Sequence, residues 1–321
     1  MWKLITYSEV KVPLARYGVS YCIGIVEDEN GKRLPVMIDR KYSKHLEYGI
    51  TGDIVEEWSP YGKIYTFKPN VKLEPILTVA VFGISSSIGS KVAIELAKMG
   101  YNIVGVDNIK HDISAIKNEV EGYGVKFSYY VADLKDESSI REILNDVNKM
   151  YKGISGVVNA IEYYVEKRME RVKAEEWRNI IDERLGATYN VVKILASYMA
   201  NKGGGSIVNL VAIYSRLGVE RRVELATVES AIIGLTRGIA AEYLRDGVRC
   251  NAVLTGFIDT SVLRSYAKRD LMSIISKLPM GRFGKPIEVA KVVAFLISDE
   301  SSYINGEVLA VTGGITSIVR I

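Results

Sequence analysis

The sequence predicts an α/β fold, a doubly wound parallel sheet, preceded by a small all-β barrel. Two observations carry this. From residue 77 onward, short runs rich in Val and Ile alternate with segments of helical period, the signature of a parallel sheet covered by helices on both faces. Before residue 70 the apolar runs are β-like and are joined by tight-turn residues. Between the two, PNVKLEP (69–75) carries two prolines and few large apolar groups and reads as a linker. The expected organisation is a β domain over 1–70, a linker over 71–76 and an α/β domain over 77–321.

In the β-rich part, VSYCIGIVEDE (19–29) and RLPVMID (33–39) flank Asn30-Gly31. That dipeptide between apolar runs predicts a hairpin whose two turn residues both take positive φ. DIVEEW (53–58) and KIYTF (63–67) flank Ser59-Pro60-Tyr61-Gly62 and predict a second hairpin. The intervening RKYSKHLEYG has room for a short helix. Five or so strands with one short helix match the size and order of a barrel of the OB type.

In the α/β part, TVAVFG (78–83) reads as a buried strand and SIGSKVAIELAKMG as the helix after it. NIVGVD (102–107), KFSYYVAD (126–133), ISGVVNA (154–160), GSIVNLV (205–211), VRCNAVL (248–254) and EVLAVTG (307–313) are the later strands, with helical segments between them.

Composition excludes several function classes. No apolar run reaches the roughly 18 residues of a membrane span. The start, MWKLITYSEVKVP, lacks the order of a signal peptide, so a cytoplasmic protein is expected. Cys22 and Cys250 are too few for a disulfide framework and read as small buried hydrophobes. His45 and His111 belong to no metal-spaced cluster, and no metal is expected. The net charge of +4 has no basic block. Tyr42, Tyr48, Trp58, Tyr61 and Tyr65 with Lys41, Lys44 and Lys63 would suit a nucleic-acid groove, but Glu47, Asp53, Glu56 and Glu57 cancel its field. The absence of glutamine and the wealth of Lys, Glu, Ile and Tyr suit a thermophilic source.

The first α/β strand ends in Phe82-Gly83-Ile84-Ser85-Ser86-Ser87-Ile88-Gly89 and runs into a helix. Small residues there bring backbone N–H groups to a pyrophosphate at a helix N-terminus. The loop resembles the short-chain dehydrogenase/reductase fingerprint T-G-x-x-x-G-I-G, with Phe82 for Thr and Ser87 for the central Gly. The resemblance continues over residues 76 to 321. Val158-Asn159-Ala160-Ile161 is similar to the family's N-N-A-G, Trp177 opens its long fourth helix, and NAVLTGFIDT (251–260) resembles N-x-V-x-P-G-x-x-x-T with Thr255 for Pro. PMGRFGKPIEVA and YINGEVLAVTGG resemble its closing segments, and the nearest group is the one that includes 3-oxoacyl-carrier-protein reductases.

The resemblance implies an NAD site at Gly83, Ser85, Ser86, Ser87, Ile88 and Gly89, with Asp107 on the adenosine ribose, Asp133-Leu134 beside the adenine, and Asn159 and Ala160. For each residue a plainer role stands beside this one. Gly83 and Gly89 let strand and helix pack closely, Asp107 is a solvated strand-end carboxylate, and Asp133 caps the turn that follows it. Asp107 on a ribose would favour NAD over NADP.

The family's hydride transfer uses Tyr as general acid–base, Lys to lower its pKa and hold the nicotinamide ribose, Ser on the substrate oxygen and Asn to place a relay water. Counting from Trp177, from Ile207-Val208-Asn209 and from Ser230-Ala231 and Gly234-Leu235 puts Arg184, Ala212, Leu225 and Glu229 at the Asn, Ser, Tyr and Lys positions. None of these can take the family role, and losing one general acid–base alone costs roughly 10²–10⁴-fold. A direct Arg184–Glu229 ion pair in place of the relay is expected. Tyr163, Tyr164 and Tyr214 are the candidates for a relocated acid.

The N-terminal part resembles the OB-fold, acyl-CoA-associated domain found beside thiolases and HMG-CoA synthases. Its marks are Leu46-x-x-Gly49-x-x-Gly52 and Phe67-x-Pro69, without that family's zinc-ribbon cysteines. The resulting expectation is a catalytically degenerate dehydrogenase homologue that binds a nucleotide or acyl-CoA, or serves a thiolase-type assembly. The alternative is an active, atypical NAD-dependent oxidoreductase. Self-association is expected from the broad apolar surface of Ile180, Ile181, Leu185, Val191, Val192 and Leu195 on one helix.

Overall fold

The computed structural model describes residues 1–10, 21–39, 46–59, 62–70, 77–151, 153–264 and 268–318. The chain divides into two compact units, Met1–Glu74 and Pro75–Ile321. The expected linker at 71–76, residues 40–45 of the expected short helix and turn residues 60–61 lie outside the described residues.

The first unit is a closed five-stranded barrel of β1 (Trp2–Val10), β2 (Tyr21–Glu27), β3 (Arg33–Asp39), β4 (Thr51–Ser59) and β5 (Gly62–Pro69), in the order β1-β2-β3-β5-β4. β1 was not among the expected strands. Its pairing with β4, Trp2 to Gly52 and Lys3 to Thr51, closes the barrel. Side chains alternate along each strand, so Leu4, Cys22, Val26, Val36, Ile38 and Phe67 fill the inside.

The β2–β3 hairpin forms, but with a different turn from the expected one. Only Gly31 has positive φ, at 79°. Asp28 causes this: its Oδ1 accepts from Asn30 N and from Lys32 N, both at 2.9 Å. A side-chain acceptor inside the loop favours an ordinary turn followed by one left-handed glycine over a two-residue mirror turn.

The second unit is a seven-stranded parallel sheet of β6 (Thr78–Phe82), β7 (Asn102–Asp107), β8 (Phe127–Val131), β9 (Gly156–Asn159), β10 (Gly205–Ala212), β11 (Val248–Thr255) and β12 (Val308–Val311). Its order is β12-β11-β10-β9-β6-β7-β8, the doubly wound arrangement. Consecutive strand residues serve opposite faces. Val79 and Val81 pack with α1 (Ser87–Lys98) and α9 (Pro286–Ile297), while Ala80 and Phe82 pack with α3 (Glu137–Met150) and α5 (Ala187–Ala200); α2 (Ser114–Glu121) follows β7 and α8 (Lys268–Lys277) precedes α9. The order reverses between β6 and β9, so the loops after these strands diverge and open a crevice at their C-terminal ends. Cys22 and Cys250 are both buried, and burial pushes the Cys250 thiol up to about 12. No helix among the described residues is long and apolar enough to cross a membrane.

The long fourth helix runs from α4 (Ala174–Ile180) through a π-helical turn (Ile181–Gly186) into α5. The burial of its apolar residues corrects the basis of the self-association argument. Ile180, Val191, Val192 and Leu195 are buried inside the chain, and Ile181 and Leu185 pack partly buried against its own clusters.

α9 begins on a charge cluster. Arg282 donates to both oxygens of Glu288 at 2.9 and 2.7 Å, and Lys285 N donates to Oε2 at 2.7 Å, which brings the Glu288 carboxyl down to about 2. A depressed carboxylate stabilises the fold above its unfolded pKa and loses that contribution as pH falls through the folded one. Glu288→Gln is expected to lower stability at pH 7 by about 1 kcal/mol or less, because the pair is substantially exposed. Thermal unfolding at pH 7, 4 and 3 checks this: the gap to wild type closes between about pH 5 and 2.

Candidate functional site

The crevice starts at the loop after β6. Gly83 stands at φ 81°, and a Cβ there would lie 2.4 Å from Ala160 O. A Cβ on Gly89 would lie 2.1 Å from Gly83 O. Both glycines are therefore required by backbone packing itself. Ser86 caps α1, its Oγ accepting from Gly89 N at 2.9 Å. Phe82, at the fingerprint Thr position, is buried in the core. Ser87, at the central Gly position, accepts from Ser261 N at 3.3 Å, which joins the loop to the start of α7 (Ser261–Arg264). Ile88 lines the cleft described below.

Asp107 ends β7 and is 4% exposed, which corrects its reading as a solvated carboxylate. Its Oδ1 accepts from Ser85 N at 3.3 Å and its Oδ2 from the Tyr129 hydroxyl at 3.0 Å. Asp133 caps its turn, with Oδ1 accepting from Lys135 N at 3.0 Å, and Leu134 is buried in the core. Asn159 donates to Asn209 Oδ1 at 2.6 Å, and Asn209 donates to Thr236 Oγ1 at 2.9 Å, a buried polar chain beneath the crevice. Ala160 lines the cleft and is fixed by its N–H to Phe82 O at 2.8 Å.

Arg184 and Glu229 form the expected pair. Arg184 Nε donates to Glu229 Oε1 at 2.7 Å and Nη2 to Oε2 at 2.9 Å, with both residues 3% exposed or less. The remaining groups are also satisfied. Nη2 donates to Leu210 O at 2.6 Å, Nη1 to Thr188 Oγ1 at 3.2 Å, and Ala212 N to Glu229 Oε2 at 2.9 Å. The π-turn carries Arg184, the end of β10 carries Leu210 and Ala212, and the middle of α6 (Val223–Glu242) carries Glu229. Leu225, one turn earlier on α6, is 2% exposed and packs with Ile180, Val228, Trp177 and Tyr214.

Above the pair lies a cleft of about 850 Å³ with a mostly apolar wall that includes Leu217, Val219, Phe257, Ile258, Leu263 and Ile274. Tyr163, Tyr164 and Tyr214 all line it. Burial raises the Tyr214 phenol above its ordinary pKa, against the pull of Arg222. Glu162 also opens onto the cleft, and the protein around it raises its carboxyl pKa against the pull of Arg184.

Three contributors were not foreseen from sequence. Arg222, 4% exposed, donates to Tyr164 OH and to Glu166 Oε2, both at 2.9 Å, and also to Val165 O. Glu162 and Tyr129 complete the set. The only sequence signal for Arg222 was its place immediately before α6, beside Arg221.

The family model for enoyl-(acyl carrier protein) reductase matches residues 83–316. The 3-oxoacyl-(acyl-carrier-protein) reductase of Thermotoga maritima is 32% identical over 235 residues, 73% of this chain and 96% of that protein. The chain belongs to the short-chain dehydrogenase/reductase family. The Escherichia coli 3-oxoacyl-(acyl-carrier-protein) reductase is 29% identical over 234 residues, 73% of this chain and 95% of its own. Among solved structures, levodione reductase superposes with a TM-score of 0.72 at 26% identity, covering 76% of this chain and 98% of that one. The ligand-free aldohexose dehydrogenase of Thermoplasma acidophilum gives 0.68 at 30%, covering 76% and 96%. The chain is thus a dehydrogenase/reductase homologue of the 3-oxoacyl reductase kind.

A buried ion pair is costly to break from one side. Arg184→Ala or Glu229→Ala is expected to destabilise the protein by about 3–5 kcal/mol, since each leaves an uncompensated charge. Arg184→Met combined with Glu229→Leu is expected to restore most of the loss. Urea unfolding of the three variants checks this, and single variants within about 1 kcal/mol of wild type would contradict the account.

Proposed function

We propose that this protein is a short-chain dehydrogenase/reductase homologue without the family's hydride-transfer chemistry. In this reading it binds an adenine nucleotide at the loop after β6 and an acyl ligand of the acyl-CoA kind in the cleft. The observation that carries the reading is Glu229, whose carboxylate is closed by Arg184 and Ala212 N where the family holds a lysine. A carboxylate there raises the pKa of any tyrosine nearby, the reverse of what a tyrosinate needs. Leu225 and Ala212 have no proton to give, and Leu225 is sealed in an apolar cluster.

The residues fit the adenosine end of NAD. The turn after β6 delivers the N-terminus of α1, where backbone N–H groups and the helix dipole favour an anion, so Gly83, Ser85, Ser86, Ser87, Ile88 and Gly89 would hold the pyrophosphate. Asp107 would meet the ribose, and Asp133, Leu134, Asn159 and Ala160 would border the base and the path to the cleft. The nicotinamide supplies or accepts hydride when bound. No lysine stands at Glu229 to hold its ribose, and this chain's own groups supply no proton at Ala212 or Leu225.

The cleft volume falls in the small-molecule range of roughly 300–1,000 Å³, and its apolar wall suits an acyl chain. The strand order β1-β2-β3-β5-β4 supports reading the barrel as OB-type, and its likeness to the acyl-CoA-associated domain directs the choice of ligand. A role beside thiolase-type enzymes and self-association belong to the same reading. The second reading, an active enzyme with a relocated acid, is favoured by Tyr163, Tyr164 and Tyr214 in the cleft.

Purified protein with NADH or NADPH and 3-oxoacyl substrates is expected to give no turnover above background. Leu225→Tyr alone is expected to fail as well. Arg184→Asn, Ala212→Ser, Leu225→Tyr and Glu229→Lys together are expected to recover a trace. Robust activity abolished by Tyr214→Phe, Tyr163→Phe or Tyr164→Phe would establish the second reading instead.

A further inference from the structure

Asp107 stands where a carboxylate meets the ribose of an adenine nucleotide in doubly wound folds. Each of its oxygens already accepts one hydrogen bond within the chain, from Ser85 N at 3.3 Å and from the Tyr129 hydroxyl at 3.0 Å, and the residue is buried, so a further donor reaches it by taking one of these places. The phenol is itself oriented. It accepts from His111 N at 3.2 Å, and its other acceptor, Ile109 O, is farther away at 3.4 Å. A phenol has one hydrogen, so the shorter, charge-assisted bond to Asp107 takes it. Burial, reinforced by the charge of Asp107, keeps the phenol protonated and hence a donor.

A ribose hydroxyl brings Asp107 the same chemistry as this phenol, one O–H aimed at a carboxylate oxygen. We propose that Tyr129 sets the affinity of this chain for adenine nucleotides: its phenol holds the carboxylate oxygen that the ribose 2′-hydroxyl must reach, and the nucleotide binds by displacing it. The proposal rests on the nucleotide-binding part of the reading above. Displacement leaves no group unpaired. The phenol O–H turns from Asp107 to Ile109 O, already within 3.4 Å, and keeps the bond from His111 N. Tyr129 lies on β8, the edge strand of the sheet, and is only partly buried, so it has room to turn. A 2′-phosphate would meet the charge of Asp107 whether or not the phenol is present, so the competition concerns NAD and not NADP.

The test is calorimetric titration of the full chain with NAD⁺ and with NADP⁺, in wild type, Tyr129→Phe, Asp107→Asn and the double variant. Tyr129→Phe is expected to bind NAD⁺ about tenfold more tightly than wild type, the effect of one hydrogen bond no longer displaced. The gain is expected to vanish in the Asp107→Asn background, and NADP⁺ binding is expected not to improve. Melting curves establish that each variant folds, and Tyr129→Ser replaces Tyr129→Phe if the latter does not. Equal or weaker NAD⁺ binding by the Tyr129 variant overturns the proposal. So does a gain that persists without the Asp107 carboxylate, or no NAD⁺ binding by any form. The titration contains no acyl substrate, so its outcome is separate from turnover: an active enzyme can pass it and an inactive one can fail it.

Discussion

The bidentate bond between Arg184 and Glu229 is the constraint on which the centre of the α/β unit depends. Two opposite charges 3% exposed or less are stable only if every donor and acceptor around them is met. Meeting them fixes three elements at once: the π-turn that delivers the guanidinium, the Leu210 carbonyl and Ala212 amide near the end of β10, and the middle of α6. The same geometry sets the floor of the cleft. A ligand there meets a carboxylate whose two oxygens are committed and a guanidinium already bonded to three partners.

The second organising feature is the two-sided sheet. Each strand residue serves the opposite face from its neighbour, so Val81 and Phe82 stabilise different helical layers although they are adjacent. This explains why an aromatic ring is tolerated at the first fingerprint position. Phe82 extends into the α3 and α5 side of the core, away from the loop it precedes, and the turn at Gly83 is set by Ala160 behind it.

Much of the fold was legible because it is written in local pattern. The seven parallel strands follow from Val- and Ile-rich runs, and Trp177, Asn209 and Gly234 fixed the register that brought Arg184, Ala212 and Glu229 to one place. Features set by distant partners were not legible. Strand β1 has weak alternation, and its role appears only when Trp2 meets Gly52. The Asn30-Gly31 turn was altered by the carboxylate of Asp28, two residues upstream of Asn30. The apolar residues from Ile180 to Leu195 exceed one narrow core stripe, and the chain's own clusters cover them all, which the helix's sequence alone does not reveal. Tyr129 reaches Asp107 across neighbouring strands, and no spacing in the chain announces that contact.

The way charge is paired in the cleft has a kinetic consequence. Arg184 faces Glu229, and Arg222 faces Glu166, so each buried cation has its field closed by a neighbour a few ångströms away. Fields closed at that range decay well inside a Debye length and do not reach an approaching molecule. Neither arginine therefore steers an anionic ligand in from solution, and what these two groups leave to discrimination is how long a ligand stays once its apolar surface is covered.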